Sequence, residues 1–146
     1  VADIGTGSGN LSILAKKLGA SKVYGCDIDE TVIDVCKENA VANGFNSSVN
    51  SAVEIEETKE DIIFELSSAD KIKEKFDFVC ANILHFVLAE IMGDLKNIMK
   101  PNALMSLSGI LYEKKEMVLE AIDRENLKII DIIPQDQWIS YVVKNA

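Results

Sequence analysis

The chain is short of arginine, histidine and cysteine, and each scarcity closes a route. Its 146 residues hold 15 Lys plus Arg, of which Arg124 alone is arginine, against 24 Asp plus Glu, for a formal charge of −9. Nucleic-acid binding rests on many phosphate contacts from a basic surface rich in Arg forks, so direct nucleic-acid recognition is disfavoured. An acidic surface favours basic partners instead. The three cysteines, Cys26, Cys36 and Cys80, are odd in number, lack CxxC spacing and sit in apolar segments. They read as reduced core thiols rather than a disulfide framework, and no metal site is expected. No apolar run approaches the roughly 20 residues that span a bilayer, and the opening residues are not a signal peptide, so a cytoplasmic protein without a membrane partner is expected. What remains is 48% hydrophobic and 27% charged, the composition of one globular domain over residues 1–146.

Strand and helix patterns alternate along the chain, which implies a mostly parallel sheet covered by helices on both faces. Val1 to Ile4 reads as the end of a buried strand, so the domain is expected to have been cut from something longer. A glycine-rich turn follows, then a helix with apolar positions 11, 14, 15 and 18. Val23 to Cys26 is a second strand ending at Asp27. Asp29 caps a helix in which Val32, Cys36 and Ala40 recur, closed by Asn43-Gly44 in a left-handed cap. From Asn46 to Glu60 the periodicity lapses, as in a surface loop or insertion. Ile62 to Leu66 is the third strand, with Val53 to Ile55 as competitor, and Phe76 to Ala81 the fourth. Leu84, Leu88, Ile91, Met92, Leu95, Ile98 and Met99 trace a helical face ending at Lys100-Pro101. A fifth strand from Ala103 to Leu107 and a helix from Glu113 to Asn126 follow. Leu127 to Ile133 and Trp138 to Lys144, joined without a helix, form an antiparallel hairpin at one sheet edge.

The strongest chemical signal is Asp3-Ile4-Gly5-Thr6-Gly7-Ser8-Gly9-Asn10-Leu11 between the first strand and the first helix. Ligands of open α/β sheets bind at the carboxyl ends of the strands, where glycines permit close approach and a helix N-terminus presents N–H groups. A dinucleotide fingerprint wants GxGxxG; here the spacing is DxGxGxG, with Asn10 at the third position. The pattern resembles motif I of class I S-adenosylmethionine-dependent methyltransferases. Glycines that only make a tight turn are the plain alternative. Asp27, at the end of the second strand, can accept hydrogen bonds from both ribose hydroxyls and would repel a 2′-phosphate, so NADP is disfavoured while NAD stays open. Ile28 could pack on an adenine face. Asn82 ends the hydrophobic strand Asp77 to Ala81 and could cap the next helix; it also resembles the Asn or Asp of many amino-methyltransferases, which holds an acceptor amine through its side-chain carbonyl and a neighbouring backbone carbonyl, although the two prolines and aromatic that follow it there are replaced here by Ile83-Leu84-His85. His85 reads as a local hydrogen-bonding residue rather than a general base.

Asp3 to Gly9, then Gly25 to Asp29, Glu38-Asn39-Ala40, Asn43-Gly44, Ala81-Asn82-Ile83-Leu84, Leu107-Ser108-Gly109-Ile110-Leu111 and Trp138 together resemble the PrmA family, the methyltransferases of ribosomal protein L-eleven, through almost the whole chain. The resemblance implies a three-layer, doubly wound, mostly parallel seven-stranded sheet with a C-terminal antiparallel hairpin. It implies S-adenosyl-L-methionine as cofactor, with Gly5, Asp27 and Asn82 at the family's cofactor-contacting positions; Asp3, Gly7, Gly9 and Ile28 are expected to join them in the cofactor site, and Asn82 is also expected to be catalytic. The implied activity is N-methylation of lysine and α-amino groups on a large-subunit ribosomal protein. The family's N-terminal substrate-recognition domain and its Gly-Thr-Gly-x-His linker are not in this sequence, and a small residue is usual where His85 stands. A methyltransferase of small molecules or nucleic acid, or a cofactor-binding piece without turnover, is the alternative.

Overall fold

In the computed structural model, residues 1–48 and 60–146 are described, and the chain divides into two units, Val1–Glu74 and Lys75–Ala146. The first unit runs β1 (Ala2–Ile4), α1 (Asn10–Lys17), β2 (Val23–Asp27), α2 (Glu30–Ala42), β3 (Ser47–Ser48) and β4 (Ile62–Leu66). Its strands lie in the order β3-β4-β2-β1 and pair in parallel. Strands of this kind are covered on both faces, and Val23, Tyr24, Gly25 and Cys26 are accordingly all buried, without polar alternation. Ile13, Val23, Ile33, Cys36, Ala40, Ile62 and Phe64 form the core of this unit. The two-residue β3 falls at the start of the stretch read as a loop from Asn46 to Glu60. The competing strand Val53 to Ile55 and most of that stretch lie outside the described residues.

The helix faces differ from the periodic reading. In α1 the buried residues are Ser12 and Ile13, whereas Leu14 is 49% and Leu18 79% exposed. A carboxylate beneath the helix draws Ser12 inward, and this polar attachment outweighs the apolar pattern. In α2, Ile33 is buried with Cys36 and Ala40, while Val32 is only half-buried. The caps are as expected: the Asp29 carboxylate accepts from the Thr31 N–H at 2.9 Å, and Gly44 is left-handed at φ 83°.

The second unit runs β5 (Phe76–Asn82), α3 (His85–Asn97), β6 (Met99–Leu111), α4 (Lys115–Arg124), β7 (Lys128–Gln135) and β8 (Trp138–Lys144). Its strand order is β5-β6-β8-β7. β5 and β6 are parallel; β8 is antiparallel to both β6 and β7, so the C-terminal pair forms the anticipated hairpin with β7 outermost. Leu88, Met92 and Leu95 of α3 and Val118, Ala121 and Ile122 of α4 are buried, with Met105, Leu107, Ile110, Tyr141 and Val143 from the strands. β6 is longer than the Ala103 to Leu107 reading and takes in Pro101. Its pairing with β5 is irregular between Phe76 and Phe78, so the proline stands where the ladder asks for no N–H. Leu84, placed by periodicity on the α3 face, is 58% exposed. It precedes the helix as its cap residue.

Candidate functional site

In the first unit, parallel pairing brings the ends of β1 and β2 to one edge, with the glycine turn and Asp27 together there. The N–H groups of Gly5 and Thr6 both donate to the Cys26 carbonyl at 2.9 Å, fastening the turn to β2. Gly7 has φ 55°, and a Cβ built on it would meet nothing within 4 Å, so it is required for its left-handed backbone and leaves the space above the turn open. Gly9 is different. Its Cβ would lie 3.1 Å from the Phe64 ring, so the turn also sits tightly on the core.

Asp3 supports this turn from beneath. It is 1% exposed, and one oxygen, Oδ2, accepts from the Thr6 hydroxyl at 2.7 Å, the Ser12 N–H at 3.0 Å and the Ser12 hydroxyl at 2.8 Å. These bonds tie β1, the turn and the first turn of α1 into one piece. Asp3, grouped by the sequence with the ligand contacts, is turned inward, where it accepts from the turn and from the start of α1.

Asp27 is half-buried. Its Oδ2 accepts from the Gly7 N–H and its Oδ1 from the Asp29 N–H, both at 3.0 Å. A carboxylate oxygen carries two lone pairs, so each oxygen keeps one acceptor position with its orientation already set. Ile28 beside it is 80% exposed, an apolar side chain free to cover a flat ring. Two further residues, which the sequence places in the core and in a family motif but not in the site, hold the turn. Cys36 and Asn39, one turn apart on α2, donate from Sγ to the Gly7 carbonyl and from Nδ2 to the Ser8 carbonyl, each at 2.8 Å. With no cis peptide bond in the described residues, the Ser8 N–H points opposite to the Gly7 carbonyl and therefore away from α2. Spacing i, i+3 on the helix that follows the acidic strand end is the signal that could have found the pair.

Burial pushes the Cys36 thiol up to about 11, helped by the nearby Asp27 and Asp3 charges. It pushes Cys26 up to about 12. Both thiols stay neutral near pH 7, and Cys36 remains a donor. Tyr24 is raised as well, by burial and by its hydrogen bond to Glu65.

In the second unit, Asn82 closes β5 opposite Ser108 of β6. The cap of α3 is Leu84 and no side chain caps it, so helix capping is not what Asn82 does. Its amide is exposed. Gly109, at φ 80°, approaches both the Asn82 side-chain oxygen and the Ile83 carbonyl. His85 is the first residue of α3 and meets Phe86 edge to face, with ring centroids 5.6 Å apart. Among the described residues there is no group of three or more His, Cys, Asp or Glu that could hold a metal, and no helix long and apolar enough to cross a membrane.

A family model described as "Ribosomal protein L11 methyltransferase (PrmA)" matches residues 1–146. The chain is 38% identical over 145 residues to a ribosomal protein L11 methyltransferase of Dictyoglomus turgidum, covering 99% of this chain and 44% of that protein. It is 35% identical over 144 residues to the protein of the same name from Caldicellulosiruptor saccharolyticus, covering 99% and 43%. The chain thus spans less than half the length of these relatives. Among solved structures, a ribosomal protein L11 methylase from Lactobacillus delbrueckii subsp. bulgaricus superposes with a TM-score of 0.85 at 28% identity, covering 99% of this chain and 68% of that one. Magnesium protoporphyrin IX methyltransferase from Synechocystis, solved with bound S-adenosylmethionine, shares the fold at a TM-score of 0.69 and 17% identity, covering 98% and 67%. The fold is the Rossmann-like one of these methyltransferases, mostly parallel strands flanked by helices with an antiparallel C-terminal pair.

Proposed function

Because the chain belongs to the ribosomal protein L11 methyltransferase (PrmA) family, we propose that it is the S-adenosylmethionine-binding, methyl-transferring part of a protein N-methyltransferase. The observation that carries the reading is the Asp27 carboxylate, fixed by the Gly7 and Asp29 N–H groups at the mouth of a left-handed glycine turn. A ribose presents two adjacent hydroxyls as donors, and the two remaining acceptor positions on Asp27 suit them. The open space above Gly7 admits the rest of a nucleoside ligand. Ile28 covers the adenine, Gly5, Gly7 and Gly9 form the cradle, and Asp3, Cys36 and Asn39 hold the cradle in shape.

When bound, the cofactor supplies a methyl group already electrophilic on its sulfonium. The protein's task is then to deliver a neutral amine in line with the S–CH₃ bond and to keep water out. In the second unit, Asn82 Oδ1 and the Ile83 carbonyl are acceptors suited to a primary amine's two N–H groups, which would fix the direction of the nitrogen lone pair. Desolvation favours the neutral form of a substrate lysine. With the cofactor bound, the methyl would pass from the sulfonium to the amine nitrogen, leaving a neutral thioether, and the extra proton would leave the product ammonium to solvent on release.

We assign lysine and α-amino groups of ribosomal protein L11 as the acceptors, in keeping with the family. The −9 charge suits a basic protein better than RNA. Reduced cysteines and a ribosomal substrate agree with a cytoplasmic location. Transfer of a radiolabelled methyl group from S-adenosylmethionine should reach L11 and not ribosomal RNA, and Asn82→Ala should abolish most of it. Labelling of RNA alone would overturn the assignment of substrate.

A further inference from the structure

Gly109 sits in β6 where its register with β8 shifts between Leu107 and Ile110, and its φ of 80° lies in the left-handed region. A Cβ placed on it would stand 2.7 Å from the Ile83 carbonyl oxygen, 2.9 Å from Asn82 Oδ1 and 3.2 Å from the Ile83 carbonyl carbon. Two of these three atoms are backbone, which cannot swing aside as the tip of a long side chain would. Asn82 and Ile83 therefore direct both oxygens at the face of β6 left bare by the missing side chain. The irregularity in β6 is what brings that bare backbone to them. Gly44 provides an internal contrast: its φ is 83°, yet a Cβ there would meet nothing within 4 Å.

We propose that Gly109 is a positioning residue for methyl transfer: it sets the placement of the two oxygens, Asn82 Oδ1 and the Ile83 carbonyl, that receive the acceptor amine. The inference rests on the reading of Asn82 given above. A methyl group at position 109 spreads or rotates the two acceptors, so the amine is bound out of line, and small misplacements of this kind are costly in rate.

The test compares Gly109→Ala, Gly44→Ala, Asn82→Ala and the double variant Asn82→Ala/Gly109→Ala in methyl transfer to L11, with thermal unfolding and S-adenosylhomocysteine binding measured beside it. Gly109→Ala should lower kcat by about 10- to 100-fold, with no greater loss of S-adenosylhomocysteine affinity than Asn82→Ala shows. Gly44→Ala bears the same backbone strain and should lose stability but keep its rate. The double variant should lose less than the product of the two single losses, because one of the two oxygens that Gly109 places is already removed. That comparison still reads the coupling where Gly109→Ala by itself folds poorly, since deleting the Asn82 amide removes one of the clashing oxygens. A wild-type rate in Gly109→Ala, or losses that multiply in the double variant, overturns the role of Gly109 alone. An unchanged rate in Asn82→Ala overturns the reading beneath it as well.

Discussion

The two units use left-handed glycines for opposite chemical ends. In Val1–Glu74 the turn through Gly5, Gly7 and Gly9 has its carbonyls tied back by Cys36 and Asn39. Its ligand-facing chemistry is then the Ser8 N–H beside a fixed carboxylate. In Lys75–Ala146 the glycine, Gly109, stands against two carbonyl oxygens and leaves them as acceptors. The first arrangement suits a ligand rich in hydroxyls and the second suits an amine. A backbone conformation thus has no chemical preference of its own. What matters is which groups the neighbouring elements engage, and which are left.

This contrast can be broken at several depths. Phe64 is fully buried and its ring lies against Gly9 and Gly25; Phe64→Ala should cost about 3–5 kcal/mol in denaturant unfolding and blunt ligand binding by the first unit. Retained stability would mean that the turn does not depend on the core beneath it. Asp3→Ala comes next, at about 3 kcal/mol, since it strips a buried carboxylate from three donors. A variant with native stability would show that Asp3 is no brace.

Alkali probes the same unit without mutation. Cys26 and Cys36 have their thiol pKa values raised from 9.0 to about 12 and about 11. The unfolded chain therefore gives up these protons first. The associated stability is fully present below pH 9.0 and is lost as the pH climbs through 11 to 12. Native alkylation of both thiols should be slow at pH 8, and a native-state thiol that reacts like a free one contradicts their burial. The smallest effect is expected from Asn39→Ala, which removes one hydrogen bond worth about 0.5–1.5 kcal/mol. Its signature is a weaker hold on S-adenosylhomocysteine with little change in unfolding. The reverse pattern would make Asn39 a packing residue only.

Much of this was legible in the sequence because each signal had one cause. The strand, the glycine turn and the acid at the next strand end occur together only where backbone geometry demands them, and the C-terminal hairpin follows from two strands with no room for a helix between. Helix faces were less legible. Periodicity weighs Leu14 and Leu18 as core, but α1 is oriented by Ser12 reaching the Asp3 carboxylate, a contact between residues nine apart in the chain. The roles of Cys36 and Asn39 are hidden for a similar reason: an Asn or a Cys on a helix shows no site role until its carbonyl partner is known. Asn82 could be read as a helix cap until the observed start of α3 left it no such duty.

In the proposed division of labour, Asp27 and the glycine turn hold the cofactor while Asn82 serves the acceptor. It is tested most directly by calorimetric titration of S-adenosylhomocysteine into the wild-type protein, Asp27→Ala and Asn82→Ala. Asp27→Ala should weaken binding by about 1.5–3 kcal/mol, roughly 10- to 150-fold in Kd, and Asn82→Ala should weaken it less. Equal affinity in the wild type and Asp27→Ala, or binding of NAD in place of S-adenosylhomocysteine, would contradict it.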